Sequence, residues 1–170
     1  RSTAQGNRRL SVVRHFAQAL HAEDPGHDVP PRDVLGNARH RRPPPYIFSQ
    51  EEVAKLIELA GRLKPDSSIR PLMLSTLFGL LATTGLRISE ALSLRLRDIT
   101  DDGLFVLETK FQKSRLVPLH PSTVAAMERY LAAREVLAAD TDEVFVGLTG
   151  KPPQYAGLKC VFARLMEKMG

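Results

Sequence analysis

The chain has one cysteine, no tryptophan and few aromatics. A lone thiol, Cys160, cannot form an intrachain disulfide, and no C-x-x-C pair is present to hold a structural metal. This suits a reducing, cytoplasmic compartment. With aromatics at 6%, there is little from which to build a base-stacking platform. Long apolar runs are also missing. The longest, Leu72 to Leu86, is interrupted by Ser75, Thr76, Thr83 and Thr84 and is too short to span a bilayer, so no membrane role is expected. The N-terminus lacks both a starting Met and an apolar signal core, which reads as the interior of a longer protein. His15 and His21 lie six apart instead of forming an i, i+4 metal pair, and Gly147-Leu148-Thr149-Gly150-Lys151 lacks phosphate-loop spacing. Neither a metal nor a cofactor is expected.

What is present is a globular mix, 43% hydrophobic and 25% charged over 170 residues, enough to bury a core without crosslinks. The net charge of +5 is uneven. Residues 1–45 carry eight arginines against four acids, whereas the rest is close to neutral. A basic lead-in before a neutral body suits a polyanion such as nucleic acid. A solvated linker would look the same, and charge alone leaves both open.

Periodicity divides the chain. Asn7 to Glu23 reads as a helix with Leu10, Val13, Phe16, Ala17 and Leu20 on one stripe. Asp24 to Pro45 holds six of the twelve prolines and the run Arg39-His40-Arg41-Arg42, a linker composition. Ser49-Gln50-Glu51-Glu52 is a capping box that opens a second helix, with Phe48 and Val53 at the staple positions. Leu72 to Thr84 is apolar almost all round and predicts a buried central helix, with Pro71 in its first turn and Gly85 as its left-handed stop. A short helix to about Leu96 follows. Leu104 to Thr109 and Arg115 to Leu119 read as a hairpin with a basic tip. Pro121-Ser122 predicts a cap for a helix to about Ala138, Val144 to Val146 a short strand or extended piece, and Tyr155 to Met169 a final helix with Cys160 as a small core residue beside its apolar stripe.

Two groups of residues could carry chemistry. Arg87 stands between the buried helix and the start of the next. A guanidinium is always charged and its planar fork matches two phosphate oxygens, while a helix start adds free N–H groups. Glu90, one turn on, could hold it in place. On spacing alone, a plain surface ion pair is the commoner explanation. Lys110 and Lys113 on a hairpin tip could reach a phosphodiester, or could simply keep the tip soluble.

These residues sit in recognisable boxes. Ala82-Thr83-Thr84-Gly85-Leu86-Arg87-Ile88-Ser89-Glu90-Ala91-Leu92, continued by Leu94, Leu96 and Asp98, closely resembles the first arginine box of tyrosine recombinases, the phage integrases and Xer-type enzymes. Thr109-Lys110-Phe111-Gln112-Lys113-Ser114-Arg115-Leu116-Val117-Pro118-Leu119 resembles their lysine hairpin, and Tyr46-Ile47-Phe48-Ser49 their lead into the catalytic domain. The resemblance implies a mainly helical α+β fold with a small antiparallel sheet, a hairpin or three strands, on a helical core. It implies that residues 1–33 hold the last helix of an N-terminal DNA-clamping domain and the start of a linker, 34–45 the basic, proline-rich linker, and 46–170 the first part of the catalytic domain.

In such enzymes a tyrosine attacks a DNA phosphodiester and forms a 3′-phosphotyrosyl bond while the 5′ oxygen leaves. By match of motif, Arg87 corresponds to the first phosphate-clamping arginine, Glu90 to its supporting acid and Lys110 to the lysine that protonates the leaving oxygen. Thr109 and Phe111 replace the usual flanking glycines, which leaves Lys113 as the alternative acid. Arg41, Arg42, Lys113 and Arg115 are the expected non-specific phosphate contacts. The family's H-x-x-R box and nucleophilic tyrosine have no match. Tyr46, Tyr130 and Tyr155 read as structural, so the nucleophile is expected to be absent from this chain. The expected partners are double-stranded DNA and further recombinase protomers, a homotetramer on DNA in the family. The expected source is a prokaryotic mobile genetic element. The rival expectation is a non-catalytic DNA-binding or protein-interaction module of the same fold, a truncated regulator.

Overall fold

Helix-forming segments and their caps dominate the computed structural model, which describes residues 3–35, 44–64, 68–107, 114–137 and 140–170. The chain falls into two compact units, Arg1–Tyr46 and Ile47–Gly170. In the first, helix α1 spans Thr3–Glu23, starting ahead of the predicted Asn7. Of its apolar stripe, Val13 and Phe16 stay exposed, as does the neighbouring Val12. The helix is followed by a turn in which the Gly26 N–H donates to Asp24 Oδ1 at 2.9 Å.

The second unit is built around α3 (Ile69–Thr84), whose Leu74, Leu77 and Leu80 are fully buried. Helices α2 (Gln50–Gly61) and α5 (Pro121–Val136) pack on it, and α6 (Tyr155–Met169) packs on α2. The capping box of α2 is formed: the Glu52 N–H donates to Ser49 Oγ at 3.2 Å, and the Ser49 N–H to Glu52 Oε2 at 2.7 Å. At the start of α5 the cap is His120, not Pro121-Ser122. Its Nδ1 accepts the Ser122 N–H at 3.3 Å, while Pro121 occupies the first turn, where its missing N–H costs nothing.

A three-stranded antiparallel sheet, β1 (Ile99–Thr100), β2 (Gly103–Leu107) and β3 (Ser114–Val117), lies in that order. The strands of the hairpin pair Leu104 with Val117, Val106 with Arg115 and Leu107 with Ser114. Gly103 must be glycine: its φ is 135°, and a Cβ would sit 2.3 Å from the Val117 carbonyl oxygen. The segment after α5 is extended but forms no named strand. Val144 donates to the Leu94 carbonyl at 2.8 Å and Leu96 to the Asp142 carbonyl at 2.8 Å, which ties this segment to the exit of α4 (Ile88–Ser93).

Two further expectations change. The helix after Arg87 stops at Ser93 instead of about Leu96, because Leu94 turns extended to bury its side chain, and a short 3-10 turn, Leu96–Asp98, follows. Cys160 is exposed and not part of the core. The buried face of α6 carries Leu158, Val161 and Leu165, and two residues past Leu158 is about 200° of helical rotation away from that face.

Candidate phosphate-binding site

The end of α3 sets up the site. The Thr83 and Thr84 hydroxyls donate back to the Gly79 and Leu80 carbonyls, and Thr84 Oγ1 also accepts the Leu86 N–H at 3.3 Å. Gly85 then takes φ 65°, left-handed backbone that favours glycine, and its N–H closes on the Leu81 carbonyl at 3.0 Å. Leu86 is buried, which anchors the turn on the core. The next residue, Arg87, is the N-cap of α4 in extended conformation. The helix has only six residues, so its dipole adds less than the sequence suggested.

Glu90 is the hub. One carboxylate oxygen, Oε2, accepts the Arg87 backbone N–H at 2.9 Å and Arg115 Nη2 at 2.8 Å. The other, Oε1, accepts Arg87 Nη1 at 2.9 Å and Arg115 Nη1 at 3.5 Å. Glu90 is nearly buried at 9% exposure, whereas the Arg87 side chain is 70% exposed and that of Arg115 40%. The hydrogen bonds from Arg115, aided by the Arg87 N–H and guanidinium, overcome the cost of burial and hold the Glu90 carboxyl at about 2. It is therefore ionised at neutral pH. Among the described residues, two guanidinium groups converge on this one carboxylate, and the Arg87 side chain still presents most of its surface to solvent. This arrangement can bind an anionic group, and a fixed guanidinium stabilises charge that develops on phosphate oxygens.

The structure brings together Arg87, Glu90 and Arg115. From sequence Arg115 is expected as a phosphate contact; its pairing with Glu90 is seen in the structure. The signal was present in the strand alternation. Arg115 and Val117 share one half-buried side of β3, while Ser114 and Leu116 face out. Lys110, Lys113, Arg41 and Arg42 lie outside the described residues. Tyr130 is wholly buried. Its hydroxyl donates to the Val144 carbonyl at 3.0 Å and accepts the Val146 N–H at 2.8 Å, and burial pushes its phenol up. Tyr46 and Tyr155 are exposed. Among the described residues, no three His, Cys, Asp or Glu side chains gather into a metal site. No helix among them is long and apolar enough to cross a membrane.

Known proteins share this arrangement of elements. The model of the phage integrase family matches residues 47–170. A protein of Sinorhizobium fredii carrying the name integrase/recombinase y4rE is 36% identical over 95% of this chain and 53% of its own length. Tyrosine recombinase XerD of Rhizobium meliloti is 33% identical over 95% of this chain and 52% of its own. Among solved structures, the XerH site-specific recombinase bound to its difH substrate matches 74% of this chain and 37% of its own at 26% identity, with a TM-score of 0.60. A lambda integrase tetramer bound to a Holliday junction shares the fold alone, at 18% identity and a TM-score of 0.70, over 99% of this chain and 48% of its own. The chain belongs to the phage integrase family, the tyrosine recombinases, which are DNA strand-transferring enzymes. It spans about half the length of the curated relatives it matches.

Proposed function

We propose that this chain is the arginine-and-hairpin part of a site-specific DNA strand transferase. The single observation that carries the reading is the solvent-facing Arg87 guanidinium locked to a nearly buried Glu90. In the complete enzyme a tyrosine oxygen attacks the scissile phosphorus, forming a 3′-phosphotyrosyl bond, and the 5′ oxygen leaves. Arg87 holds the non-bridging oxygens, where charge rises in the transition state. Glu90 positions Arg87. Lys110 gives its proton to the leaving 5′ oxygen; an unperturbed lysine, with pKa near 10.4, carries that proton at neutral pH. Arg41, Arg42 and Lys113 contribute non-specific phosphate contacts. Residues 1–33 hold the last helix of an N-terminal DNA-clamping domain and the start of a linker, 34–45 form the basic, proline-rich linker, and 46–170 begin the catalytic domain.

The substrate is duplex DNA in the bacterial cytoplasm, and the working form is a homotetramer of protomers on DNA. Support comes from the DNA-bound states of the XerH and lambda integrase structures. Residues 1–170 alone bind duplex DNA weakly and with strong salt dependence, and do not cut it. A non-catalytic reader is the weaker reading, since α3 is core and cannot lie in a groove. Two measurements test the proposal. The source gene read past the Gly170 codon should continue into H-x-x-R and a tyrosine. A covalent protein–DNA adduct formed by residues 1–170 would refute the division of labour.

A further inference from the structure

Among the described residues, the side chain of Arg115 joins the hairpin to the arginine turn. Arg115 pairs with Val106, one register step inside Leu107 and Ser114, the last described pair before the connection that holds Lys110. Its guanidinium crosses to Glu90 with one nitrogen at 2.8 Å from Oε2 and another at 3.5 Å from Oε1. The same carboxylate grips Arg87 twice, at its backbone N–H and at its guanidinium. Without Arg115, Glu90 would keep only contacts from its own helix end and would be free to swing toward solvent. With it, the root of the hairpin and the start of α4 are fastened at one point.

We propose that Arg115 is a positioning residue, which fastens the root of the hairpin to α4 through Glu90 and so fixes where Arg87 presents its guanidinium to a phosphate. The role rests on the reading of Arg87 as a phosphate ligand. It differs from a direct phosphate contact because the two guanidinium nitrogens nearest α4 are turned to the carboxylate. A two-nitrogen grip needs the planar fork of arginine; lysine supplies charge without it.

The test uses the 170-residue chain, a short duplex of arbitrary sequence and hydrogen exchange read residue by residue. Arg115→Gln and Arg115→Lys should each raise exchange at the Arg87 amide at least tenfold while amides of α3 keep their protection. Both should weaken duplex binding, and the lysine should not rescue it. If Arg115→Gln also loosens α3, Arg115→Lys, which keeps the charge, carries the same readout. Wild-type binding and unchanged Arg87 exchange in Arg115→Lys would overturn the proposal and make Arg115 an ordinary phosphate contact. Arg87→Gln tests the underlying reading separately. It should lower the slope of log affinity against log salt by about 0.9, the value for one phosphate contact on duplex DNA. An unchanged slope would refute Arg87 as a phosphate ligand, while the amide exchange still decides whether Arg115 holds the turn.

Discussion

Two arginine clusters in the second unit use the same side chain in opposite ways. Arg134, on α5, is buried at 7% exposure, and its guanidinium donates to the carbonyls of Thr141 and Glu143. With Tyr130 one turn earlier, it staples the extended 141–146 segment to the helix. Its donors end on half-buried backbone oxygens of that segment. Arg87 is held from below by a nearly buried carboxylate and leaves most of its surface in solvent. A closed cluster of the first kind stabilises a fold. An open cluster, anchored on one side and exposed on the other, leaves a guanidinium where an anion can reach it.

The contrast predicts different failures. Arg134→Ala should remove about 3 kcal/mol of stability, because the charged donors to the Thr141 and Glu143 carbonyls vanish, and a urea midpoint reads it. Loss of DNA affinity without loss of stability would blur the two clusters. Acid should act on the open cluster. The Glu90 carboxyl is depressed from an ordinary 4.5 to about 2, so its contribution is complete above about 4.5 and is lost as pH falls toward 2. The amount is on the order of 2–3 kcal/mol. Unfolding free energy measured from pH 5 to 2 should therefore fall less steeply in Glu90→Gln than in wild type. Tyr130→Phe should cost about 1–3 kcal/mol by stranding the Val144 carbonyl and the Val146 N–H, with no effect on salt-dependent DNA binding. Smallest of all, Cys160→Ser should change stability by less than about 0.5 kcal/mol, since the thiol is exposed.

Much of this was legible beforehand where local chemistry decides structure. The capping box at Ser49, the glycine stop at Gly85 and the apolar run of α3 each specify backbone through residues close in sequence. Arg87 and Glu90 were legible too, being three residues apart in a recognisable box. Arg115 was half legible: strand alternation puts it on the inner side, but its partner is twenty-five residues away on another element. Arg134 gave no signal, because its partners are main-chain carbonyls and any sequence could supply those. Cys160 was misplaced because nearness to an apolar stripe in sequence is not nearness on a helix, where two positions turn a side chain to the far side. β1 is only two residues long, too short for any alternation to appear.

The most direct test of the account is strand cleavage by the full-length protein carrying Arg87→Ala. If Arg87 clamps the phosphate, the rate of covalent adduct formation falls at least about 100-fold, the scale of removing one preorganised donor to developing oxyanion charge. Near-normal cleavage would contradict it, and Arg87 would then be only the exposed end of an ion pair.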